Sequence, residues 1–483
     1  MSITETGWLA PRPGSGWPLA ERQRQVETSV DEPTTRSVEA FNFDVHRIRE
    51  EFDFTRLGRI VTNNAASTQP PRRLLDLYRD LVPSYENVHR GQSTASLQTT
   101  ELFESSYDTI AGWLNAPSRR NICTFRNTTE AHNAVMYSLL TEFRDGDNIV
   151  TTMLEHNSNF VPWYALAREI LPRFGRTVEC RVARFDHVTG ELDLEHLASL
   201  IDERTKLVCC TGASNFLGTK PPLRTIRAIC DRSGYQQPNG ESRSRLLVDG
   251  AQLVPSSQID VQKMDLDYLS FSFHKFMAPF GVGVLYAKEH LLRESLPFLY
   301  GGDMIAEGKV SVDQVEYNEL PWKYAAGTPN ILGVIVSAQA LRFAVDLVEA
   351  AGSERYFRTN NPVPRSTVAI TMNAIQEHCR ELTALAIEEL TTVPGLTIYG
   401  PRLAERRSPL VAFNVDGWNP LQLAEALNEA GVESRAGCHC ATLAHRDLML
   451  DPAASCRLSF YLYNSAEDVV QAVDALRRIV TTR

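Results

Sequence analysis

The chain has 483 residues, and its 49 Lys and Arg against 59 Asp and Glu give a formal charge of −10 at pH 7. A hydrophobic fraction of 43% and a charged fraction of 22% are typical of a globular protein and exclude a long disordered chain. The length predicts two or three domains, the acidic balance argues against a nucleic-acid partner, and no apolar run approaches the roughly 20 residues of a membrane helix.

The first part of the chain is predicted to divide into an arm and an α/β domain. Residues 1–38 have no periodic pattern and no basic stretch leading into an apolar one, so we expect a flexible N-terminal arm and no signal peptide. Strands are predicted at 148–154, 206–212, 245–248, 268–273 and 281–287, with helices at 161–170 and 223–232. This alternation predicts a large domain, residues 39–350, with a mostly parallel central sheet covered by helices.

The last third of the chain has a different pattern. Helices predicted at 333–351 and 368–390 flank an inserted loop at 352–367, and another inserted loop spans 235–244. Strands then follow at 396–399, 410–415 and 457–462, with helices at 421–430 and 466–480. Mixed elements of this kind favour a smaller α+β C-terminal domain, residues 351–483.

The nine cysteines are scattered along the chain. Cys209-Cys210 and Cys438-x-Cys440 lie too close together for easy bridging within each pair, so we expect free thiols and a cytoplasmic protein. Cys438, His439, Cys440 and His445 form one compact loop rather than the two separated ligand pairs of structural zinc, so we expect no metal. A dinucleotide fingerprint and a Walker loop are also missing from the sequence.

An acid and a lysine each close a predicted strand. Asp249 ends the run RLLVD, and Lys275 follows Ser272 and His274 at the end of YLSFSFHK. Neighbouring parallel strands would place both at one sheet edge, where open α/β folds bind ligands. The combination suits pyridoxal 5′-phosphate (PLP), because a desolvated lysine reacts with its aldehyde and a carboxylate keeps its ring nitrogen protonated. A helix N-terminus at residues 127–130 would receive the phosphate. Taken alone, either residue is more often an ordinary surface lysine or turn aspartate.

A dozen motifs in order along the chain make this sequence resemble a known family. They include VTNNAASTQPP, RNTTEAHNAV, EHNSNFVPW, SNFLGT, VDGAQ, SFHK, AAGTPN, SRAGCHCA and CRLSFYLYN. The chain resembles the class V aminotransferase-like PLP enzymes of fold type I, and within them the group II cysteine desulfurase and selenocysteine lyase branch. The resemblance implies PLP as cofactor, a large PLP-binding domain with a smaller C-terminal domain, and a homodimer with composite sites.

The resemblance also implies a role for each matching residue. Lys275 matches the lysine that bonds the cofactor, Asp249 the partner of the ring nitrogen, Gln252 the partner of the ring hydroxyl and His156 the imidazole stacked on the ring. The implied phosphate and cofactor binders are Thr128, Thr129, Asn215, Ser272 and His274, with Gly327 and Thr328 reaching across the dimer interface. The implied substrate-binding residues are Asn215, Arg435, Arg457 and His89.

Cys440 matches the nucleophile of the desulfurase branch. The implied reaction converts L-cysteine to L-alanine, with Lys275 carrying protons, a persulfide forming on Cys440, and the sulfur passing to an acceptor protein. Because the thiolate is the nucleophile, neighbouring cations matter, and Arg435, His439 and His445 are candidates by sequence proximity. Taken alone, a free cysteine is more often a small buried apolar residue.

Two positions depart from the family pattern. The common Thr-Gly-His-His-Cys run is here Ala436-Gly437-Cys438-His439-Cys440, and Phe273 replaces a family glycine, which we expect to add bulk beside the cofactor. Several functions therefore stay open: a selenocysteine lyase, a C–S lyase acting on a cysteine conjugate, an epimerase, an aminotransferase, or a non-enzymatic partner-binding protein.

Overall fold

A computed structural model describes residues 43–349, 354–359 and 361–482 of the chain. The predicted arm at residues 1–38 and part of the predicted loop at 352–367 lie outside these ranges. The helices are Val45–Arg49, Asp53–Arg56, Arg72–Leu81, Thr94–Leu114, Thr128–Leu139, Val161–Ala165, Leu194–Ser199, Leu223–Cys230, Glu289–Glu294, Ile331–Glu349, Arg365–Thr391, Pro420–Glu429, Thr442–Asp447 and Ala466–Thr481.

A seven-stranded sheet forms the centre of the larger part of the molecule. In spatial order its strands are Ile122–Phe125, Gly283–Ala287, Tyr268–Ser272, Arg245–Asp249, Thr205–Thr211, Asn148–Thr152 and Glu179–Ala183. Gly283–Ala287 alone runs against its two neighbours, and the other pairs are parallel. Every residue of the five inner strands is buried, as expected when helices cover both faces. The predicted α/β fold is confirmed.

The five predicted strands of this sheet are found within two residues of their predicted bounds, but its two edge strands were missed. Ile122–Phe125 has four residues, and Glu179–Ala183 is partly exposed along most of its length. Short strands with charged, half-exposed positions carry little hydrophobic pattern, which is why the sequence did not indicate them.

A four-stranded antiparallel sheet forms the smaller C-terminal part. Its strands in spatial order are Leu396–Tyr399, Leu410–Val415, Ser455–Ser459 and Arg435–Gly437. The last predicted strand, 457–462, begins earlier and ends at Ser459. Strand Ile60–Val61 pairs in parallel with Val432–Glu433, so an early segment of the chain contacts the C-terminal part.

Helix Ile331–Glu349 is the most apolar long element. Its 18-residue window has a mean hydropathy of 1.8, so by length and composition it could span a membrane, and the expectation that no apolar run approaches that length was wrong. However, 94% of the window is buried inside the protein, where the helix packs against Thr94–Leu114. A helix that is apolar all round and buried on all sides is explained as a core helix.

Candidate active site

A cavity of about 250 Å³ opens at the carboxyl edge of the large sheet, where it meets the smaller C-terminal part. Twelve of the fifteen sequence-predicted site residues line it: Thr128, Thr129, His156, Asn215, Asp249, Gln252, Ser272, His274, Lys275, Arg435, Cys440 and Arg457. The three others, His89, Gly327 and Thr328, do not. The large sheet thus supplies the acid and the lysine, and the small sheet supplies the two arginines and the thiol.

Asp249 and Lys275 follow from the ends of neighbouring strands. Asp249 is the last residue of strand Arg245–Asp249, and Lys275 lies just beyond strand Tyr268–Ser272. The two strands pair in parallel. Desolvation lowers the pKa of Lys275 to about 8, although the Asp249 carboxylate opposes this shift. Lys275 is therefore more readily deprotonated than an exposed lysine, as a nucleophilic amine requires.

The N-terminus of helix Thr128–Leu139 forms an anion cradle at one end of the cavity. The Asn127 side chain caps the helix by accepting from the Glu130 N–H at 3.0 Å. Ser272 Oγ accepts from the Thr128 N–H at 2.8 Å and lies 2.7 Å from Thr128 Oγ1. Gly283 allows the close approach, because a Cβ there would lie 2.5 Å from the Asn127 backbone. N–H groups and hydroxyls in this arrangement suit a phosphate.

His156 presents a neutral imidazole to the cavity. The Ser158 N–H donates to His156 Nδ1 at 3.0 Å, so this nitrogen accepts a hydrogen bond and carries no proton. Burial and the nearby Lys275 lower the pKa of His156 to about 4. The loop is anchored through Glu155, which accepts from the Thr211 N–H at 2.8 Å and from Asn159 Nδ2 at 2.6 Å. A neutral, immobilised ring is suited to stacking on a planar cofactor.

Arg457 brings a buried guanidinium into the same cavity. Its side chain is 1% exposed, and Nη1 donates to the Asn215 carbonyl at 2.6 Å. Arg457 Nε is buried without a hydrogen-bond partner in the described part of the chain, and so is Asn215 Oδ1. Burial, together with the neighbouring Arg435, lowers the pKa of Arg457 to about 9, so it still carries its charge at neutral pH. A buried guanidinium with a free Nε beside a free amide oxygen suits an amino-acid ligand.

Cys440 stands on a tight turn that spans Cys438 to Ala441. The Ala441 N–H donates to the Cys438 carbonyl at 2.8 Å, and His439 and Cys440 have φ values of +51° and +57°. Left-handed conformations cost non-glycine residues about 1–2 kcal/mol each. The turn is held from outside, because the Asn157 N–H donates to the Cys440 carbonyl at 2.7 Å and Asn215 Nδ2 to the His439 carbonyl at 2.6 Å.

Cys440 also borders a second, wider cavity. This cavity has a volume of about 770 Å³ and extends from His156 and Cys440 along helix Val161–Ala165 towards Arg173 and Phe174. Cys440 therefore lies between the lysine-containing cavity and a more open space.

The expectation that His439 and His445 act as cations beside Cys440 was wrong. Both are buried, and both contact Ser455 Oγ through Nε2. Burial lowers the pKa of His445 to about 4 and that of His439 well below its usual range. The positive charges that act on Cys440 come instead from Lys275 and Arg457.

Phe273 does not add bulk to the cavity, so that expectation was wrong too. It is completely buried and packs edge-on against Phe271 at 5.1 Å. The cavity lining also includes small residues that the sequence did not single out: Ala65, Ala66, Ser158, Thr211, Ala213 and Ala251. Several lie inside the quoted motifs, but small side chains carry no chemical pattern of their own.

His89, Gly327 and Thr328 belong to a different surface. His89 packs against Trp322 with ring centroids 4.6 Å apart, and the Gly327 N–H donates to the Gly302 carbonyl at 2.7 Å. Gly327 lines another cavity, of about 380 Å³, rather than the one that holds Lys275. The roles expected of these three residues stay predictions.

Comparisons with known proteins agree with this arrangement. The family described as aminotransferase class-V matches residues 60–359 and 365–472. A probable cysteine desulfurase of Halobacterium salinarum is 36% identical over 87% of this chain and 92% of its own length. A cysteine desulfurase of an Enterobacter species is 35% identical over 91% of this chain and 98% of its own length. The solved structure of an apo cysteine desulfurase from Thermococcus onnurineus superimposes with a TM-score of 0.78 at 28% identity, covering 91% of this chain and 98% of that one.

Proposed function

The chain belongs to the class-V aminotransferase family, and from this premise we propose that it is a PLP-dependent cysteine desulfurase. It converts L-cysteine to L-alanine, forms a persulfide on Cys440 and passes the sulfur to an acceptor. The observation that carries the proposal is the convergence, in one cavity, of Lys275, Asp249, a neutral His156, an Arg457 guanidinium whose Nε has no partner among the described residues, and a thiol on an anchored turn. Relatives 34–36% identical over most of the chain are named cysteine desulfurases, which supports the assignment.

The cavity fits PLP, the cofactor of this family. Lys275 would bond its aldehyde carbon, Asp249 would pair with the ring nitrogen, and His156 would stack on the ring. The N-terminus of helix Thr128–Leu139 would bind the phosphate, together with the side chains of Thr128, Thr129, Ser272 and His274. Bound there, PLP supplies an electron sink that stabilises negative charge at the substrate Cα.

The residues of the chain then direct the reaction. Arg457 binds the substrate carboxylate, with Asn215 beside it, and so orients Cα–H towards Lys275, whose neutral amine takes the proton. The Cys440 thiolate attacks the substrate sulfur, so an S–S bond forms and the Cβ–S bond breaks. The electron pair of that bond goes to Cβ, which takes a proton, and Lys275 returns a proton to Cα, which completes L-alanine.

We also propose a homodimer. His89, Gly327 and Thr328 match residues that serve the site of a partner subunit in the family, and their position on another surface of this chain supports that assignment.

All nine cysteines lie in the described part of the chain and none forms a disulfide, which supports a reducing compartment such as the cytoplasm.

Product analysis tests the proposed function. The PLP-loaded protein is incubated with L-cysteine, and alanine and the mass of the Cys440 peptide are measured. We expect alanine and a mass gain of one sulfur on Cys440. Cys440→Ala should lose the bound sulfur and the activity, whereas Cys180→Ala, which removes another partly exposed thiol that does not line the cavity, should keep both.

The same assay separates the competing functions. Pyruvate with ammonia would identify a C–S lyase, and a keto acid would identify an aminotransferase. Full alanine formation by Cys440→Ala would contradict the persulfide mechanism.

A further inference from the structure

A second thiol, Cys438, shares the turn of Cys440 and has no part in the proposed function. Six of the other seven cysteines are buried, and the seventh, Cys180, lies on a distant edge strand. Cys438 and Cys440 are both partly exposed. They are therefore two partly exposed thiols on one turn, one of which lines the active-site cavity.

The turn brings the two cysteines close enough to exchange sulfur. Cys438 is its first residue and Cys440 its third. The first and fourth Cα atoms of a β-turn lie within about 7 Å, so the first and third share that span. Residues this close do not bridge easily as a disulfide, but a persulfide on Cys440 extends one S–S bond of about 2 Å further, so its outer sulfur comes within reach of the Cys438 thiolate. The same carbonyl contacts that anchor the turn, from Asn157 and Asn215, keep this spacing fixed.

The two thiols differ in which cavities they border. Cys440 borders both the cofactor cavity and the wider cavity, whereas Cys438 borders neither. Cys438 follows Arg435–Gly437, which is an edge strand of the small sheet. The buried His439 separates the two cysteines along the chain and is fixed by Ser455. A sulfur on Cys438 would therefore be offered outside the cavity in which it was released.

We propose that Cys438 is a relay thiol that receives the persulfide sulfur from Cys440 and presents it to acceptors too large to enter the cavity. The Cys438 thiolate attacks the outer sulfur of the Cys440 persulfide. A new S–S bond forms at Cys438, the S–S bond at Cys440 breaks, and Cys440 leaves as a thiolate that takes up the proton lost by Cys438. No atom is oxidised or reduced overall, so the step needs no further reagent. This inference rests on the proposed desulfurase function.

Peptide mass mapping of the PLP-loaded enzyme after a short incubation with L-cysteine tests the relay. In the wild type, fragment ions should place one sulfur on Cys440 at the earliest times and on Cys438 later. Cys438→Ser should carry sulfur on Cys440 only. Cys440→Ser should carry none on Cys438, because the relay receives its sulfur from Cys440.

Sulfur delivery to two thiols of different size gives a second readout. Dithiothreitol can enter the wider cavity and take sulfur from Cys440 directly, whereas a thiol-terminated polyethylene glycol cannot. Cys438→Ser should slow delivery to the polymer thiol about tenfold or more, because a neighbouring thiol has a far higher effective concentration than an external one. Delivery to dithiothreitol should fall much less. Cys180→Ser, the matched control, should leave both rates as in the wild type.

Three results would overturn the relay. The first is that Cys438→Ser and the wild type deliver sulfur to the polymer thiol at equal rates. The second is that Cys440→Ser carries sulfur on Cys438. The third is that a Cys438–Cys440 disulfide forms and hydrosulfide is released. Absence of sulfur and of alanine in the wild type would instead reject the proposed function itself, so the two failures are distinguishable.

Discussion

Replacing Arg457 by lysine isolates the contribution of the guanidinium to substrate binding. Arg457 Nη1 is occupied by the Asn215 carbonyl, and Nη2 has only a long contact of 3.5 Å with Asn63 Oδ1. Because Nε is buried and unpaired, Nε and Nη2 are the donors available for a substrate carboxylate. Lysine keeps the charge but offers one donor point instead of this fork.

The expected loss is one charge-assisted hydrogen bond. Such a bond contributes about 2 kcal/mol, which at about 1.4 kcal/mol per factor of ten corresponds to a roughly 30-fold rise in KM for L-cysteine. The assay measures alanine formation by the PLP-loaded variant over a range of L-cysteine concentrations. We expect KM to rise by much more than kcat falls, since the contact exists before and during the reaction.

Arg407→Lys is the matched control. Arg407 is also fully buried, its pKa is also lowered to about 9 by burial, and it donates to the Pro401 and Tyr399 carbonyls outside the active-site cavity. Both variants should lose stability in a thermal melt, but only Arg457→Lys should raise KM. An unchanged KM in folded Arg457→Lys would refute the assignment of the carboxylate to Arg457.

Three further predictions concern the cofactor end of the cavity. Lys275→Ala should lower the rate of alanine formation at least about a hundredfold, and near-normal turnover in a steady-state assay would rule out its role as proton carrier. Desolvation lowers the pKa of Lys275 to about 8, so the rate at which the apo protein takes up PLP should rise about tenfold per pH unit below 8 and level off above it, where the amine is neutral. An uptake rate, measured by stopped-flow absorbance, that does not change between pH values of about 6 and 8 would contradict this. Thr128→Val removes a hydroxyl 2.7 Å from Ser272 Oγ and should weaken PLP binding about fivefold, for about 1 kcal/mol, in a fluorescence titration. No change is expected for Thr109→Val, whose hydroxyl contacts Arg342 outside the cavity.

The central strands and the residues at their ends were predictable because their pattern is local. A fully buried strand requires a continuous apolar run, and the run stops where the chain reaches the sheet edge, so Asp249 and Lys275 could be placed there from the sequence. The ordered motifs also indicated the family, the cofactor and the thiol of Cys440. The edge strand Glu179–Ala183 was not predictable, because its exposed positions remove the apolar run on which such a prediction depends.

Charge states and side-chain directions depended on distant segments. His439 and His445 looked like cations beside Cys440, but packing against Ser455 and its surroundings buries both and holds them neutral. Phe273 was expected to add bulk to the cavity, but its side chain is buried in the hydrophobic core.

The five inner strands of the large sheet, the family and the reactive groups could be inferred from the sequence, because each is recorded in a short run of residues. Only the tertiary structure decided which groups face the reaction. It brings Arg457 to Asn215 across 242 positions of sequence, and it places Cys438 outside the cavity that Cys440 borders. The physical reason is that solvation, and with it pKa and hydrogen bonding, depends on the segments that fold over a residue, whereas a motif records only its chain neighbours.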